Sequence, residues 1–291
     1  MTWQGRDRPV PSKVVRPRFV FLGLFVAALL TPVACSTSHA TQVAPRPRVT
    51  HTTNTTEAPT PAWLTEIATA KVPTVQVFPD QPGQPATTTT TAPAGGHQAP
   101  PIPRAGLNAA GVSLTSSGLA YANPTYFNNP LVFDVVHDDG DWLQVALLAR
   151  PNQQLGWIRR DDVTLSTTRY HLELNVSDFD LKVFNGADLV VETKVVVGTP
   201  STPTPLGHFY VTEKIARPPA GAYGSWILAT SAYSEKLDSF DGGLPQVAFH
   251  GTNRPSLIGT QASNGCVRMP DAVDLQLAAI LPAGTPITIQ A

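Results

Sequence analysis

The sequence predicts a mainly β protein with two small domains behind an N-terminal export segment. Short runs of alternating apolar and polar residues, separated by Gly and Asp turns, recur from residue 73 to residue 290, and this pattern is typical of small barrels and sandwiches. One run near the C-terminus has helical periodicity instead. A length of 291 residues suits two domains of roughly 100–200 residues each. We therefore expect a small barrel at 63–166 and a β-sandwich with one short C-terminal helix at 167–291.

The charge balance and the cysteine count exclude several classes of protein. Twenty Lys and Arg residues stand against twenty-one Asp and Glu residues, a formal net charge of −1, whereas a nucleic-acid-binding chain needs a basic excess. Two cysteines are too few for a disulfide-stapled scaffold or a four-cysteine zinc site. The 29 prolines are about twice the usual ~5% share, which indicates that part of the chain is extended linker.

Residues 1–35 have the pattern of a secretory signal. Basic residues dominate 1–18, an apolar run of twelve residues follows at 19–30, and small residues precede Cys35. The run is short of the ~20 residues that span a bilayer, although an uncleaved anchor helix is the alternative. The Ala-Cys pair at 34–35 resembles the end of a bacterial lipoprotein signal, in which the cysteine is lipidated, but Pro32 replaces the usual aliphatic residue. We expect an exported protein that a lipid on Cys35 anchors at the outer face of the cytoplasmic membrane or in the cell wall.

Two low-complexity stretches lie outside the predicted strands. Residues 36–62 are rich in Ser, Thr, Pro and Ala, with almost no large apolar side chains, so they cannot bury enough surface to offset the entropy of ordering. They are predicted to form a disordered tether. Residues 81–106, with five successive threonines at 87–91, are predicted to be a Thr/Pro-rich insertion in the first domain.

The first domain is predicted from short strands bounded by Asp and Gly turns. The runs lie at 73–78, 131–136, 142–148 and 156–158. Trp142 opens the third run, and a Gly that precedes Trp157 opens the fourth. This pattern resembles bacterial SH3-like domains, which implies a spacer or a wall-binding module. The two tryptophans are expected to be core aromatics, with contact to a ligand as the alternative.

The second domain is predicted from denser strand patterns and a terminal helix. Asp271 and Asp274 favour the positive end of that helix. Residues 213–245 have weak periodicity and are rich in Gly, Pro, Tyr and Ser, so they are predicted to be a long surface excursion. The apolar face of the helix comprises Val273, Leu277, Ile280 and Leu281. The alternating strands lie at 171–176, 180–184, 189–197, 207–212 and 286–290.

Cys266 is the residue that points most directly to chemistry. If Cys35 is lipidated or removed, Cys266 is the single thiol of the mature chain, which indicates an intermolecular bridge or a reactive thiol. Gly265 precedes it and lets a substrate carbonyl approach the backbone, whose amides in a tight turn are suited to stabilising an oxyanion. Arg268, two residues further on, is positioned to favour a thiolate or to hold a substrate carboxylate.

A thiol nucleophile needs a base, and His250 is the best-placed histidine. It ends an apolar stretch sixteen residues before Cys266 and is followed by Gly251, so it can reach across a short loop. A buried inert cysteine with a satisfied core histidine is the alternative. A zinc site is disfavoured because 250–270 holds no further His or Cys. A papain-like peptidase is disfavoured because its cysteine precedes its histidine.

Two motifs of this chain resemble the L,D-transpeptidase catalytic domain, also called the YkuD domain. His250-Gly-Thr together with Ser263-Asn-Gly-Cys-Val-Arg268 matches the signature of that family, and Thr204-Pro-Leu-Gly-His-Phe-Tyr210 matches its upstream strand. The resemblance covers residues 168–291 and implies a β-sandwich fold. It also implies that the cysteine of this motif is the nucleophile and that the histidine is the general base.

The resemblance implies roles for the neighbours of this pair. The backbone at Gly265 and the cysteine corresponds to the oxyanion hole, the carbonyl of Gly251 orients the histidine, and Ser263 supports the turn. Arg268 corresponds to a position near the substrate. Asn264 departs from the family, which usually has His two residues before the cysteine, so we expect it to affect substrate preference or rate.

The implied reaction is acyl transfer on peptidoglycan stem peptides, with no metal and no organic cofactor. The thiolate attacks a stem tetrapeptide at its third residue and releases D-Ala, and the thioester then acylates a neighbouring stem to give a 3→3 cross-link. Carbapenem β-lactams are the expected inactivators. Water as the acceptor makes the protein an L,D-carboxypeptidase instead. A catalytically inactive wall-binding lipoprotein is the remaining alternative, and Asn264 is its only support.

The excursion carries aromatic residues that are candidates for contact with substrate. Tyr223 and Trp226 lie among Gly and Pro residues within 216–243. Because long aromatic loops often gate sites, we expect this segment to form a lid over Cys266 in which both aromatics bind substrate. A merely structural loop is the alternative.

Overall fold

The computed structural model describes residues 63–83, 112–115, 118–218 and 221–291. Three predictions concern residues outside these ranges: the export segment with Cys35, the tether at 36–62, and the larger part of the insertion at 81–106. Within the described ranges the protein is mainly β, as predicted, with eighteen strands and one α-helix. No helix of this described part has the length and the apolar character needed to cross a membrane.

The first eight strands form two antiparallel sheets around one core. The strands are β1 (Thr65–Ala70), β2 (Thr74–Val77), β3 (Val112–Thr115), β4 (Gly118–Ala122), β5 (Val132–Asp139), β6 (Trp142–Ala146), β7 (Leu155–Arg159) and β8 (Val163–Thr168). One sheet has the order β7-β6-β5-β1-β8, and the other has the order β2-β4-β3. Both sheets contribute to one apolar cluster, in which Phe133, Leu143 and Ile158 are fully buried.

The two tryptophans of the first domain are half-buried and packed by their neighbours. The ring of Trp142 lies edge-on to Phe78 at 5.5 Å and beneath the guanidinium of Arg159 at 4.8 Å. Trp157 lies edge-on to His137 at 6.2 Å. The contacts agree with a packing role for both rings, and the SH3-like assignment of this domain stays a prediction.

The remaining ten strands form an eight-stranded sheet and a two-stranded one. The strands are β9 (Tyr170–Asn175), β10 (Asp180–Asn185), β11 (Asp188–Lys194), β12 (Val197–Gly198), β13 (Gly207–Ala216), β14 (Trp226–Tyr233), β15 (Gln246–His250), β16 (Gln261–Ser263), β17 (Val267–Arg268) and β18 (Pro286–Gln290). The large sheet has the order β11-β10-β9-β18-β13-β14-β15-β17, and β12 pairs with β16. β18 runs parallel to β9, and β17 runs parallel to β15.

The large sheet curls around a single apolar core. Val191 of β11 at one end of the sheet and Val267 of β17 at the other belong to the same buried cluster. The helix α1 (Asp271–Ile280) inserts Leu277 into this cluster. The predicted sandwich therefore takes the form of one continuous sheet whose two halves enclose a core, and the predicted terminal helix is present.

The predicted surface excursion at 213–245 is wrong for its central part. β13 continues to Ala216, and β14 lies within the sheet between β13 and β15. The alternation is hidden because the register shifts in this region and because polar side chains there are buried. Thr230 donates to the backbone oxygen of Val247 at 2.7 Å, and Ser231 accepts from the backbone of Tyr210. A lid over the whole of 216–243 is therefore excluded, which leaves the flanking segments 221–225 and 234–245.

The two parts of the described chain contact each other through apolar and polar side chains. Tyr210 of β13 packs against Ile67 and Val132 of the first sheet. Thr125 and Asn129 both donate to a carboxylate oxygen of Glu213, at 2.7 and 3.0 Å. The first domain thus supports β13, which is a central strand of the large sheet.

Candidate active site

His250 ends β15 and is almost completely buried, with 2% of its surface exposed. Its Nδ1 lies 2.6 Å from the backbone oxygen of Gly251. A carbonyl oxygen only accepts hydrogen bonds, so Nδ1 carries the proton and Nε2 of the neutral ring keeps a free lone pair. The contact matches the orienting role that the resemblance implied for Gly251, and it gives His250 a defined basic nitrogen.

Cys266 immediately precedes β17, which lies beside β15. The parallel register pairs His250 with Arg268 and Phe249 with Val267. Side chains alternate between the two faces of a sheet, so His250 and Arg268 lie on the face opposite the apolar core that holds Phe249 and Val267. The backbone N–H of Ala248 is directed at the thiol of Cys266. The base predicted from sequence therefore ends β15, and the predicted nucleophile lies on the turn that leads into the neighbouring strand β17.

Burial keeps both candidate reacting groups uncharged near neutral pH. Burial lowers the pKa of His250 to about 4; the hydrogen bond to Gly251 opposes this shift, and the charge of Arg268 adds to it. Burial raises the pKa of the Cys266 thiol above its ordinary value, against smaller opposite effects of the Ala248 N–H and of Arg268. Both groups are therefore uncharged at rest, a thiol before β17 and a neutral imidazole at the end of β15, as general-base activation of a nucleophile requires.

The turn that carries the thiol is fixed by hydroxyl groups. The Ser263 hydroxyl accepts from the Gly265 N–H at 3.1 Å and donates to the Cys266 oxygen at 2.6 Å. Thr204, which is buried, donates to the Gly265 oxygen at 2.9 Å. Gly265 has a φ of +118°, a conformation that side-chain-bearing residues rarely adopt. Because Ser263 already binds the Gly265 N–H, that amide is not the free oxyanion donor that we predicted.

Tyr223 is the aromatic residue that reaches this group. Its ring lies 5.0 Å from the imidazole of His250 at an interplanar angle of 60°. Burial raises the pKa of its hydroxyl, and electrostatic interactions with Cys266 and Asp241 add to the effect. The guanidinium of Arg217 lies 6.0 Å from the Tyr223 ring. Segment 221–225 therefore lies against His250, and Asp241 of segment 234–245 acts electrostatically on Tyr223.

Comparison with known proteins identifies the family. The model of the L,D-transpeptidase catalytic domain, YkuD, matches residues 169–289. The YkuD protein of Bacillus subtilis is 29% identical over 149 residues, which are 49% of this chain and 83% of that protein. The YkuD protein of Bacillus licheniformis is 31% identical over 123 residues, which are 42% of this chain and 67% of that protein. The chain belongs to the L,D-transpeptidase family.

The alignment with a solved L,D-transpeptidase structure covers a smaller share of that protein. The crystal structure of an Enterococcus faecium L,D-transpeptidase mutant aligns at 21% identity with a TM-score of 0.33, over 41% of this chain and 49% of that one. This L,D-transpeptidase chain thus spans about half the length of that protein.

Trp226 lies apart from the catalytic face of the L,D-transpeptidase domain. The neighbouring residue, Ile227, pairs directly with His250, and successive residues of a strand point to opposite faces. The side chain of Trp226 accordingly packs against the core and lines a cavity of about 490 Å³ between the two parts of the chain, together with Ile67 and Glu213. The prediction that Trp226 binds substrate therefore conflicts with its position.

The other two predicted substrate contacts differ in burial. Asn264 is exposed at the rim of the turn, and Arg268 is half-buried. Nε of Arg268 is buried without a hydrogen-bond partner, so this guanidinium keeps an unused donor next to the thiol. Arg268 is therefore the better placed of the two to meet an anionic or carbonyl group of a ligand.

Two carboxylates near this site were predicted only as helix-end charges. Asp271 accepts from the backbone N–H and from the hydroxyl of Ser225, at 2.7 and 2.8 Å. Asp274 accepts from the backbone N–H of Trp226 at 2.8 Å and has no exposed surface. Their partners lie 46 and 48 residues away in sequence, so no local pattern reveals these contacts. Among the described residues, no group of three or more His, Cys, Asp or Glu is arranged to hold a metal ion.

Proposed function

We propose that this L,D-transpeptidase family member forms 3→3 cross-links between peptidoglycan stems, with Cys266 as the nucleophile and His250 as the general base. The observation that supports this most directly is the 2.6 Å contact between Nδ1 of His250 and the Gly251 oxygen, because it leaves Nε2 as the only proton acceptor of the ring. The thiol lies on the turn that immediately precedes the neighbouring parallel strand.

In the first half-reaction, Nε2 of His250 removes the proton of the Cys266 thiol. The sulfur then attacks the carbonyl carbon of the third residue of a donor tetrapeptide and forms a C–S bond. The oxyanion of the tetrahedral intermediate needs hydrogen-bond donors, and we assign this role to the Cys266 N–H and to Arg268. Collapse breaks the C–N bond, and the imidazolium returns its proton to the leaving D-Ala amine.

In the second half-reaction, the side-chain amine of an acceptor stem attacks the thioester. Nε2 of His250 takes the proton that this amine loses, an amide C–N bond forms, and the C–S bond breaks. The thiolate regains the proton and the resting state returns. All steps use protein groups alone, so the proposal includes no cofactor. Water in place of the acceptor amine gives the L,D-carboxypeptidase reaction.

The proposal includes a location outside the cytoplasmic membrane. The signal pattern of 1–35 and Cys35 at its end support export and lipid anchoring. The tether at 36–62 provides reach between the membrane and the wall, and the first domain serves as a spacer or as a wall-binding module.

Intact-mass spectrometry of the full-length chain tests the chemistry. A carbapenem is expected to add once, because the thiol opens its β-lactam ring, and the adduct is expected to be absent in Cys266→Ala. A stem tetrapeptide is expected to give a thioester with loss of D-Ala and then a cross-linked dimer. Release of a tripeptide without dimer would assign the carboxypeptidase reaction. An unmodified chain that still co-sediments with cell wall would assign a binding function.

A further inference from the structure

Asp274 is a buried carboxyl that the proposed mechanism does not use. It lies in the first turn of α1 and has no exposed surface. Oδ2 accepts from the Trp226 N–H at 2.8 Å, whereas Oδ1 has no hydrogen bond of normal geometry. Burial raises the pKa of this carboxyl to about 6, and the backbone N–H groups of Trp226, Gly251 and Ser225 oppose that shift. Burying a carboxyl with one oxygen unpaired costs free energy of folding. We therefore expect Asp274 to serve a function in its immediate surroundings.

The backbone of Gly251 lies directly against this carboxyl. A Cβ built on Gly251 would lie 2.5 Å from Oδ1 of Asp271, 3.0 Å from Oδ2 of Asp274 and 2.8 Å from Cα of Gly224. Real Cβ atoms are not found so close to backbone, so the Gly251 peptide is held tightly between the helix end and the 221–225 segment. Its N–H faces Asp274, and its oxygen binds Nδ1 of His250. Carboxyl, peptide and imidazole therefore form one continuous chain of contacts.

The neighbouring carboxylate, Asp271, already anchors this end of the helix. Asp271 anchors the 221–225 segment through two hydrogen bonds to Ser225, and it also provides a negative charge at the positive end of α1. Neither function requires a second carboxyl beneath Gly251. Both carboxyls lie against Gly251, but both oxygens of Asp271 already accept from Ser225, whereas the carboxyl of Asp274 is the one on which the Gly251 N–H acts.

We propose that Asp274 is a positioning residue for the general base: it fixes the Gly251 peptide so that the carbonyl oxygen of Gly251 holds His250 with the proton on Nδ1. The inference rests on the proposed role of His250 as the base. Loss of Asp274 frees the peptide to rotate, and the imidazole then samples the tautomer that has its proton on Nε2 and cannot accept the thiol proton.

Nitrogen-15 NMR of the full-length chain reads the tautomer directly. The signals of His250 are assigned by their loss in His250→Gln. Wild type is expected to show Nδ1 protonated and Nε2 unprotonated at pH 7. Asp274→Ala and the isosteric Asp274→Asn are expected to show a mixture of tautomers. Ser225→Ala removes the hydroxyl contact to Asp271 in the same cluster and is expected to keep the wild-type tautomer, even where its melting temperature falls.

The carbapenem acylation rate gives a second readout. A displacement of about 1 Å in a reacting group costs on the order of 10²-fold in rate, so a loss of that order is expected for Asp274→Ala and a smaller one for Asp274→Asn. Wild-type tautomer and wild-type rate in a folded Asp274→Asn chain would overturn the inference. If the wild type itself is not acylated, the proposed function fails, while the NMR comparison still decides the role of Asp274.

Discussion

Asn152 of the first domain and Tyr233 of the catalytic sheet hold each other through two hydrogen bonds. The Tyr233 N–H donates to Oδ1 of Asn152 at 2.9 Å, and Nδ2 of Asn152 donates to the Tyr233 oxygen at 2.8 Å. Arg150 adds a hydrogen bond to the Leu237 oxygen at 3.1 Å. These contacts support the start of segment 234–245, which also carries Asp241, a carboxylate that acts electrostatically on Tyr223.

Asn152→Ala is expected to weaken this junction. The substitution leaves the backbone groups of a buried residue, Tyr233, without partners, which costs about 1–3 kcal/mol. Urea unfolding of the two chains measures the difference. Asn152→Asp keeps the acceptor but turns a carboxylate oxygen towards the Tyr233 oxygen and Glu235, so its loss is expected to be at least as large. Equal stability of Asn152→Ala and wild type would show that the junction contributes nothing to the fold.

The acylation rate is expected to fall only in strongly acidic solution. Because burial lowers the pKa of His250 to about 4, the imidazole is neutral above that value and becomes a cation, unable to accept a proton, below it. The rate of carbapenem addition measured between pH 3 and pH 9 is therefore expected to drop through about pH 4. The raised pKa of Cys266 is expected to give a further rise on the alkaline side. An acidic midpoint near the ordinary histidine value of 6.5 would contradict the burial of this ring.

Asp134→Asn is expected to stabilise the protein at alkaline pH. Asp134 of β5 pairs with Ile67 at the junction of the two parts, and burial raises the pKa of its carboxyl from 3.8 to about 7. A carboxyl whose pKa is raised in the folded chain stabilises the fold at pH values below its pKa in the unfolded chain. This contribution is lost as the pH rises to about 7. Removal of the charge is expected to gain about 1–3 kcal/mol at pH 8 and nothing at pH 4. Thermal unfolding at both pH values tests this, and an equal effect at each would disprove it.

Thr204→Val is expected to loosen the turn that carries the nucleophile. The hydroxyl of Thr204 donates to the Gly265 oxygen and accepts from the Gly198 N–H, both at 2.9 Å. Valine keeps the shape but leaves two buried backbone groups unpaired, so a loss of about 1–3 kcal/mol is expected, with slower addition of a carbapenem to Cys266. Thr204→Ser retains the hydroxyl and serves as the matched control. If Thr204→Val reacts as fast as Thr204→Ser, the hydroxyl does not support the turn.

The parts of this site that sequence predicted are those encoded by local patterns. His250-Gly and the turn before Cys266 are contiguous motifs, and alternation predicted most strands, because each depends on neighbouring residues only. β14 was missed because its register shifts and because buried Thr230 and Ser231 satisfy backbone groups there. Trp226 was predicted to bind substrate because β14 was not predicted. Without that strand, the face of the sheet on which Trp226 lies could not be determined.

The contacts of the two carboxylates at the helix end were also not predicted, but for a reason different from that for β14. Asp271 and Asp274 have the spacing of ordinary first-turn acids, and that pattern alone indicates an interaction with the helix dipole. Their partners, Ser225 and Trp226, become neighbours only after the sheet has curled. The assignment of the Gly265 N–H to the oxyanion failed similarly, since its contact with Ser263 is not specified by the motif.

The position of β18 determines when the large sheet can be completed during synthesis of the chain. The first domain has all its strands once residue 168 is available, whereas β18, at 286–290, lies between β9 and β13 in the middle of the large sheet. Ile287 and Ile289 belong to the core beneath the catalytic strands. A nascent chain that lacks these residues leaves the sheet split in two, so the strands next to Cys266 and His250 do not have their complete core until translation has passed residue 290.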